Sequence, residues 1–134
     1  MEVEGGCYCG AVRYKAVGDP MFKGQCHCRE CQYISGGAPN LTMGFPVAGF
    51  SYTKGSPKGF QRSDLENPVT REFCANCGTH LVSKAPGLPM ALLKVGTLDD
   101  PSVFEGPQLA IFTCDKQSFH QIPEGIASFE RMPG

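Results

Sequence analysis

The chain has 134 residues, 41% of them hydrophobic and 10% aromatic, which suits one folded unit, 1–134, able to bury a core without covalent staples. Its formal charge is −1, from 12 basic and 13 acidic residues with no Lys/Arg run, which leaves out the usual electrostatic footprint of a nucleic-acid binder. Nothing approaches the roughly 20 apolar residues of a membrane span, and Met1–Gly6 lacks the basic and apolar regions of a signal peptide, so a cytoplasmic location is expected.

In chain order, Ala11 to Val17 alternates: Val12, Tyr14 and Ala16 face one way and Arg13 and Lys15 the other, the pattern of a half-buried strand. Met21 to Gln25 is expected to pair with it after a turn at Gly18-Asp19-Pro20. Cys28 to Ile34 suits two turns of helix, ending before Ser35-Gly36-Gly37. Further strands are predicted at Leu41–Phe45, Phe50–Lys54, Phe60–Ser63, Thr70–Phe73, His80–Lys84, Met90–Val95 and Leu109–Phe112. Pro57-Lys58-Gly59, Pro86-Gly87 and Asp99-Asp100-Pro101 read as turns between them, and the tail from Pro123 as a short turn-like end. The 17 glycines and 11 prolines agree with short strands joined by turns, so the expected fold is mostly β with at most one short helix.

Seven of the eight cysteines fall into three groups: Cys7-Tyr8-Cys9, Cys26-His27-Cys28-Arg29-Glu30-Cys31 and Cys74-Ala75-Asn76-Cys77. In a reducing compartment such clusters are better read as metal ligands than as disulfides. A C-x-x-C knuckle aims two sulfurs at one ion ~2.3 Å away, and C-x-C on an extended chain places both sulfurs on one side. Cys7, Cys9, Cys74 and Cys77 are therefore expected to close a structural Cys₄ zinc site. Gly10 and Gly78, each after a pair, are expected to let backbone N–H groups turn towards the thiolates.

Cys26, Cys28 and Cys31 combine both spacings and can converge on a second Zn²⁺, leaving a fourth position for water or substrate, as in catalytic sites. Two other readings stand beside it: closure by Cys114, His80 or His120, or a redox-active thiol cluster. With seven thiolates on two zinc ions the formal charge moves from −1 to about −4.

Gly6-Cys7-Tyr8-Cys9-Gly10-Ala11-Val12-Arg13-Tyr14, the Cys26-His27-Cys28-x-x-Cys31 box and Phe73-Cys74-x-x-Cys77-Gly78-Thr79 resemble the glutathione-dependent formaldehyde-activating enzyme and centromere protein V family. Gly96-Thr97-Leu98-Asp99-Asp100-Pro101 and Lys116 before Phe119 are similar to its later motifs. The resemblance implies a β-tent, in which facing antiparallel sheets are pinned by a Cys₄ zinc held by Cys7, Cys9, Cys74 and Cys77. It gives Cys26, Cys28 and Cys31 to a catalytic zinc, and it implies addition of the glutathione thiol to formaldehyde, classed in reverse as carbon–sulfur lyase chemistry. The chain is shorter than the formaldehyde-activating members; Phe119 stands where relatives often carry Trp, and Ala110 where many carry His.

The expected partners are a small-molecule thiol such as glutathione and a small aldehyde, the thiol taking the open zinc position and attacking the carbonyl. His27, between two ligands, should point away from the metal and act behind the ligands or at the surface. His80 reads as a packing residue and Cys114 as a small buried core residue. Arg29 and Glu30 could meet a charged substrate, and Lys54, Lys58, Arg62 and Lys84 could contact glutathione carboxylates. A catalytically silent zinc-binding interaction module and a thiol redox sensor are the competing functional classes.

Overall fold

The computed structural model describes residues 1–133. The strands are β1 (Glu2–Gly6), β2 (Arg13–Val17), β3 (Phe22–Cys26), β4 (Asn40–Pro46), β5 (Phe50–Lys54) and β6 (Lys58–Phe60). They continue with β7 (Thr70–Phe73), β8 (His80–Lys84), β9 (Met90–Lys94), β10 (Leu109–Ile111) and β11 (Ala127–Ser128), and a single α-helix among the described residues, α1 (Arg29–Ile34), follows β3. One sheet has the order β1-β2-β5 and the other β11-β10-β3-β4-β9-β8-β7-β6. The expected mostly β fold of two sheets is what forms.

The core lies between the sheets. Val3, Tyr14 and Ala16 of the small sheet meet Met43, Phe45, Val82, Ala91 and Leu93 of the large one, all buried. Strand alternation then sends Thr42, Gly44, Leu92 and Lys94 to the opposite face of the large sheet. That outer face is where the site is built.

Three expectations about the chain path need correction, and one strand is added. Met21–Gln25 does not pair with Ala11–Val17: β3 lies between β4 and β10, because after Gly18-Asp19-Pro20 the Met21 N–H bonds the Gly44 carbonyl and enters the other sheet. Lys58 and Gly59 form strand rather than turn, and β6 ends at Phe60, so Gln61–Ser63 lies outside it. Glu2–Gly6 makes a strand that the sequence reading passed over, since its short Val3/Gly5 alternation carries only one large apolar side chain. The pairings β3–β10 and β10–β11 are parallel, so one edge of the large sheet departs from the antiparallel pattern.

The Gly96–Pro101 motif is fastened to β1. Leu98 bridges Gly5, the Asp99 N–H donates to the Glu4 carbonyl at 3.0 Å, and Arg13 grips the Asp99 carboxylate through two N–H groups. Gly5 is required there: a Cβ would sit 2.5 Å from the Tyr14 hydroxyl and 2.3 Å from the Thr97 carbonyl oxygen. Its absence lets the buried Tyr14 hydroxyl donate to Thr97 Oγ1 at 2.7 Å, while Thr97 in turn donates to the Lys94 carbonyl.

Candidate functional site

Cys7, Cys9, Cys74 and Cys77 come together from two distant hairpins, their sulfurs all within 4.8 Å of one another. Four sulfurs ~2.3 Å from one metal would stand about 3.8 Å apart along each tetrahedral edge; the Cys7–Cys9 and Cys9–Cys74 sulfurs are 3.6 and 3.8 Å apart. The donor set and spacing fit a four-coordinate zinc, and all eight thiols are free rather than paired as cystines.

Donors reach three of the sulfurs: Val12 N–H lies 3.2 Å from Cys7 Sγ, Asn76 Nδ2 3.3 Å from Cys9 Sγ, and Cys77 N–H 3.5 Å from Cys74 Sγ. The Thr79 hydroxyl, followed by nearby backbone N–H groups, holds the Cys77 thiol down to about 5. Cys7 and Cys9 sit in a turn closed by Gly10 N–H on the Cys7 carbonyl, not on an extended chain. Gly10 and Gly78 have φ of +81° and +79°, and their N–H groups bond the carbonyls of Cys7 and Cys74 rather than sulfur. Their task is to close the knuckles, which only a left-handed residue does easily.

Cys26, Cys28 and Cys31 form the second cluster, also within 4.8 Å of one another. Cys26 ends β3, and Cys28 is the N-cap of α1, its sulfur accepting the Cys31 N–H at 3.3 Å. The C-x-x-C spacing is thus also a helix start, which fixes both sulfurs on one side of the first turn. Asn40 Nδ2 donates to Cys31 Sγ at 3.5 Å, and bonds with Cys26 and then Cys28 hold the Cys31 thiol far below the ordinary thiol range. Buried Gln32 locks the helix by donating to the carbonyls of His27 and Asp115. Three soft, close donors with no fourth His, Cys, Asp or Glu among the described residues fit a zinc with one position open.

The triple opens onto a pocket of about 400 Å³ on the outer face of the large sheet. Two buried cations enter it, neither of which the sequence reading singled out. Lys94, 7% exposed, donates to Ser83 Oγ at 2.7 Å; Arg71, 8% exposed, reaches the same oxygen at 3.4 Å and Glu30 at 3.5 Å. Burial pushes the Lys94 ammonium down to about 8, against the pull of the three thiols. Lys94 precedes the Gly96–Pro101 motif by two residues, and a polar residue ending an apolar strand was the one available signal.

His27 turns away from the sulfurs, as expected, but into the interior, where it is fully buried. Gln25 Nε2 donates to His27 Nε2 at 2.8 Å, His27 Nδ1 faces His120 Nδ1 at 3.1 Å, and His120 Nε2 donates to the Gly37 carbonyl at 2.6 Å. His27 therefore carries its proton on Nδ1 and His120 on Nε2, assigned from this network. Neither histidine groups with either sulfur cluster among the described residues. His80 packs against Phe73 at 5.5 Å between ring centres, in keeping with a packing role.

Cys114 is exposed, which overturns its expected place in the core: Phe112 takes a left-handed φ of 53° and the next three residues form a 3₁₀ turn that carries the thiol outward. Arg29 stacks on the exposed Tyr33 ring and bonds Gln32. Lys54, Lys58, Arg62 and Lys84 do not line the pocket; Arg62 pairs with Asp64 and Lys84 with Glu72.

Among the described residues no helix is long and apolar enough to cross a membrane. The family profile described as "Glutathione-dependent formaldehyde-activating enzyme" matches residues 2–115. A Halomonas elongata protein provisionally named as a glutathione-dependent formaldehyde-activating enzyme is 34% identical over 88 residues, 60% of this chain and 55% of that protein. The match thus spans just over half the length of that relative. A Rhodobacter sphaeroides protein of known crystal structure superposes with a TM-score of 0.57 at 18% identity, covering 72% of this chain and 87% of that one, a likeness of fold.

Proposed function

Because the chain belongs to the glutathione-dependent formaldehyde-activating enzyme family, matched over residues 2–115, we propose that it is a zinc-dependent carbon–sulfur lyase-like enzyme adding a glutathione-like thiol to a small aldehyde. The supporting observation is that Cys26, Cys28 and Cys31 share one pocket with the buried Lys94. In this reading Cys7, Cys9, Cys74 and Cys77 hold a structural zinc, and Cys26, Cys28 and Cys31 hold a second, catalytic one with a position to spare. Bound there, zinc lowers the pKa of a substrate thiol so that the thiolate is present at neutral pH.

The protein's own groups supply the rest. The end of β3 fixes the Cys26 sulfur, and helix α1 with Asn40 fixes those of Cys28 and Cys31, so the thiol is presented from one direction. Lys94, beside the cluster, donates to the aldehyde oxygen as negative charge develops on it. Leu92, Ile111 and Phe112 wall the pocket with apolar surface, which lowers the local dielectric and strengthens that hydrogen bond. Addition then forms one C–S bond, and the thiol proton ends on the new hydroxyl. The need for seven reduced thiols agrees with a cytoplasmic location.

The test is Cys28→Ser, measured for zinc content and for hemithioacetal formation from glutathione and formaldehyde. One zinc per chain is expected instead of two, with the catalysed rate lost. An unchanged rate with the second zinc gone would refute the reading.

A further inference from the structure

The pocket changes character along its strands. Cys26 stands opposite Asn40 and Thr42 opposite Lys94, so one end is polar and holds the sulfurs. Moving along the same strands, Phe22 stands opposite Gly44, Gly44 opposite Leu92, and Pro46 opposite Met90. From Lys94 to Met90 is about 13 Å at ~3.3 Å per strand residue. A Cβ on Gly44 would meet Met90 Sδ at 2.6 Å and Phe22 Cβ at 3.0 Å, so these two side chains close over the bare glycine. Leu88 and Val69 complete that far end, which is apolar throughout.

Formaldehyde has no body to cover such a surface, and the charged backbone of a glutathione-like thiol finds no partner on it. The charged groups lie elsewhere: Arg71 and Glu30 line both this pocket and an adjoining one of about 320 Å³. A charged thiol with its sulfur at Cys26, Cys28 and Cys31 can leave on that side. An aldehyde whose oxygen meets Lys94 has its carbon body directed along β9 towards Met90.

From this ordering we infer that the carbonyl substrate is a medium-chain aliphatic aldehyde, its hydrocarbon tail lying over Leu92, Met90 and Phe22. The inference rests on the thiol-addition reading above. The thiol sulfur bonds to the carbonyl carbon, the C=O π pair moves to oxygen, and the thiol proton completes the hydroxyl, so no oxidant or reductant is consumed.

The experiment uses the zinc-loaded full chain with glutathione and compares hexanal with formaldehyde by exchange NMR, after subtraction of the spontaneous rates. The expected kcat/KM for hexanal is greater by roughly tenfold or more, because the gain of at least about tenfold per buried methylene over five added carbons outweighs the lower electrophilicity of an alkyl aldehyde. Leu92→Gln and Met90→Gln should each raise KM for hexanal several-fold more than for formaldehyde. Catalysis of formaldehyde addition without a hexanal preference overturns this inference and leaves the thiol-addition reading standing. Absence of catalysis with both aldehydes overturns that reading and the inference with it.

Discussion

The Lys94 ammonium and the Arg71 guanidinium both donate to one oxygen, Ser83 Oγ, at 2.7 and 3.4 Å. Arg71 also has Glu30 at 3.5 Å, but among the described residues no carboxylate pairs with Lys94. A buried charge with only a neutral acceptor is costly unless an anion completes its surroundings. The thiolates of Cys26, Cys28 and Cys31 and a developing substrate oxyanion are the candidates that share its pocket.

Replacing Lys94 with Met should therefore lower kcat for thiol addition by roughly 10²-fold, the usual effect of removing one donor to a developing oxyanion. Zinc content should stay at the wild-type level, because Lys94 is not a ligand. Lys94→Arg keeps the charge and should recover part of the rate. The donor must be protonated, and burial lowers the Lys94 pKa, so the wild-type rate should fall on the alkaline side at a lower pH than an ordinary lysine would give. Lys94→Arg should hold its rate to higher pH. A Lys94→Met rate within twofold of wild type would count against the assignment.

The same burial has a stability signature of definite sign. In the folded chain with the Cys26–Cys28–Cys31 site empty, Lys94 titrates near 8 against an ordinary 10.5, so between those values the unfolded chain holds more protons and stability rises with pH. Lys94→Met should be more stable than wild type at pH 7 by up to about 3 kcal/mol, and the difference should shrink towards pH 10.5. Urea midpoints of the two chains at both pH values measure it. Equal midpoints at pH 7 would mean that Lys94 is solvated when only the Cys7–Cys9–Cys74–Cys77 site is filled.

Tyr14 has the opposite slope. Burial raises its hydroxyl to about 12, partly offset by the bond to Thr97. Between pH 10 and 12 the folded state holds the extra proton, so stability falls as pH rises and about 2–3 kcal/mol is lost by pH 12. Tyr14→Phe should remove that alkaline slope while losing about 1 kcal/mol at neutral pH with the hydrogen bond to Thr97. Parallel slopes for the two chains between pH 10 and 12 would show that the hydroxyl reaches water.

Much of this site is legible in the cysteine spacing because each spacing is a local geometry. Cys28-x-x-Cys31 doubles as an N-cap and a first helical turn, and Cys74-x-x-Cys77-Gly78 needs the positive φ that its glycine supplies. The strands read correctly where alternation is strong, as at Phe50–Lys54 in the small sheet and Thr70–Phe73 and His80–Lys84 in the large one. What local pattern does not encode is pairing. The parallel insertion of β10 beside β3 depends on the long path after Lys94, and the meeting of Lys94, Ser83 and Arg71 depends on register across three strands. Cys114 misled because Ile111-Phe112 looks like a continuing strand, whereas the left-handed Phe112 ends it.

If Cys7, Cys9, Cys74 and Cys77 hold the structural zinc, metal and fold should be lost together. Cys74 is 1% exposed and belongs to the core, so Cys74→Ser puts a hydroxyl in a packed apolar site and removes a ligand at once. Soluble yield should collapse and the melting transition should fall by 15 °C or more, on the order of several kcal/mol. A strong chelator on the wild type should release zinc in two phases, the Cys26–Cys28–Cys31 ion first with little change in the far-ultraviolet spectrum. A single phase that leaves the fold intact would refute the structural assignment.

Counting reactive thiols separates the ligand cysteines from the one that remains. Zinc-bound thiolates are shielded by the metal, whereas Cys114 is exposed and lies outside both clusters. The zinc-loaded protein should therefore react quickly with an aromatic disulfide reagent at one thiol per chain, and Cys114→Ser should abolish that phase without changing zinc content or rate. Chelator should expose the Cys26–Cys28–Cys31 set next, adding three thiols, and denaturant the last four, to the eight in the sequence. That order follows from the donor count: three sulfurs leave a coordination position through which a chelator can enter, whereas four close the site. Three or more fast thiols before any chelator is added would mean that Cys26, Cys28 and Cys31 are not holding metal, and the catalytic reading would fall with them.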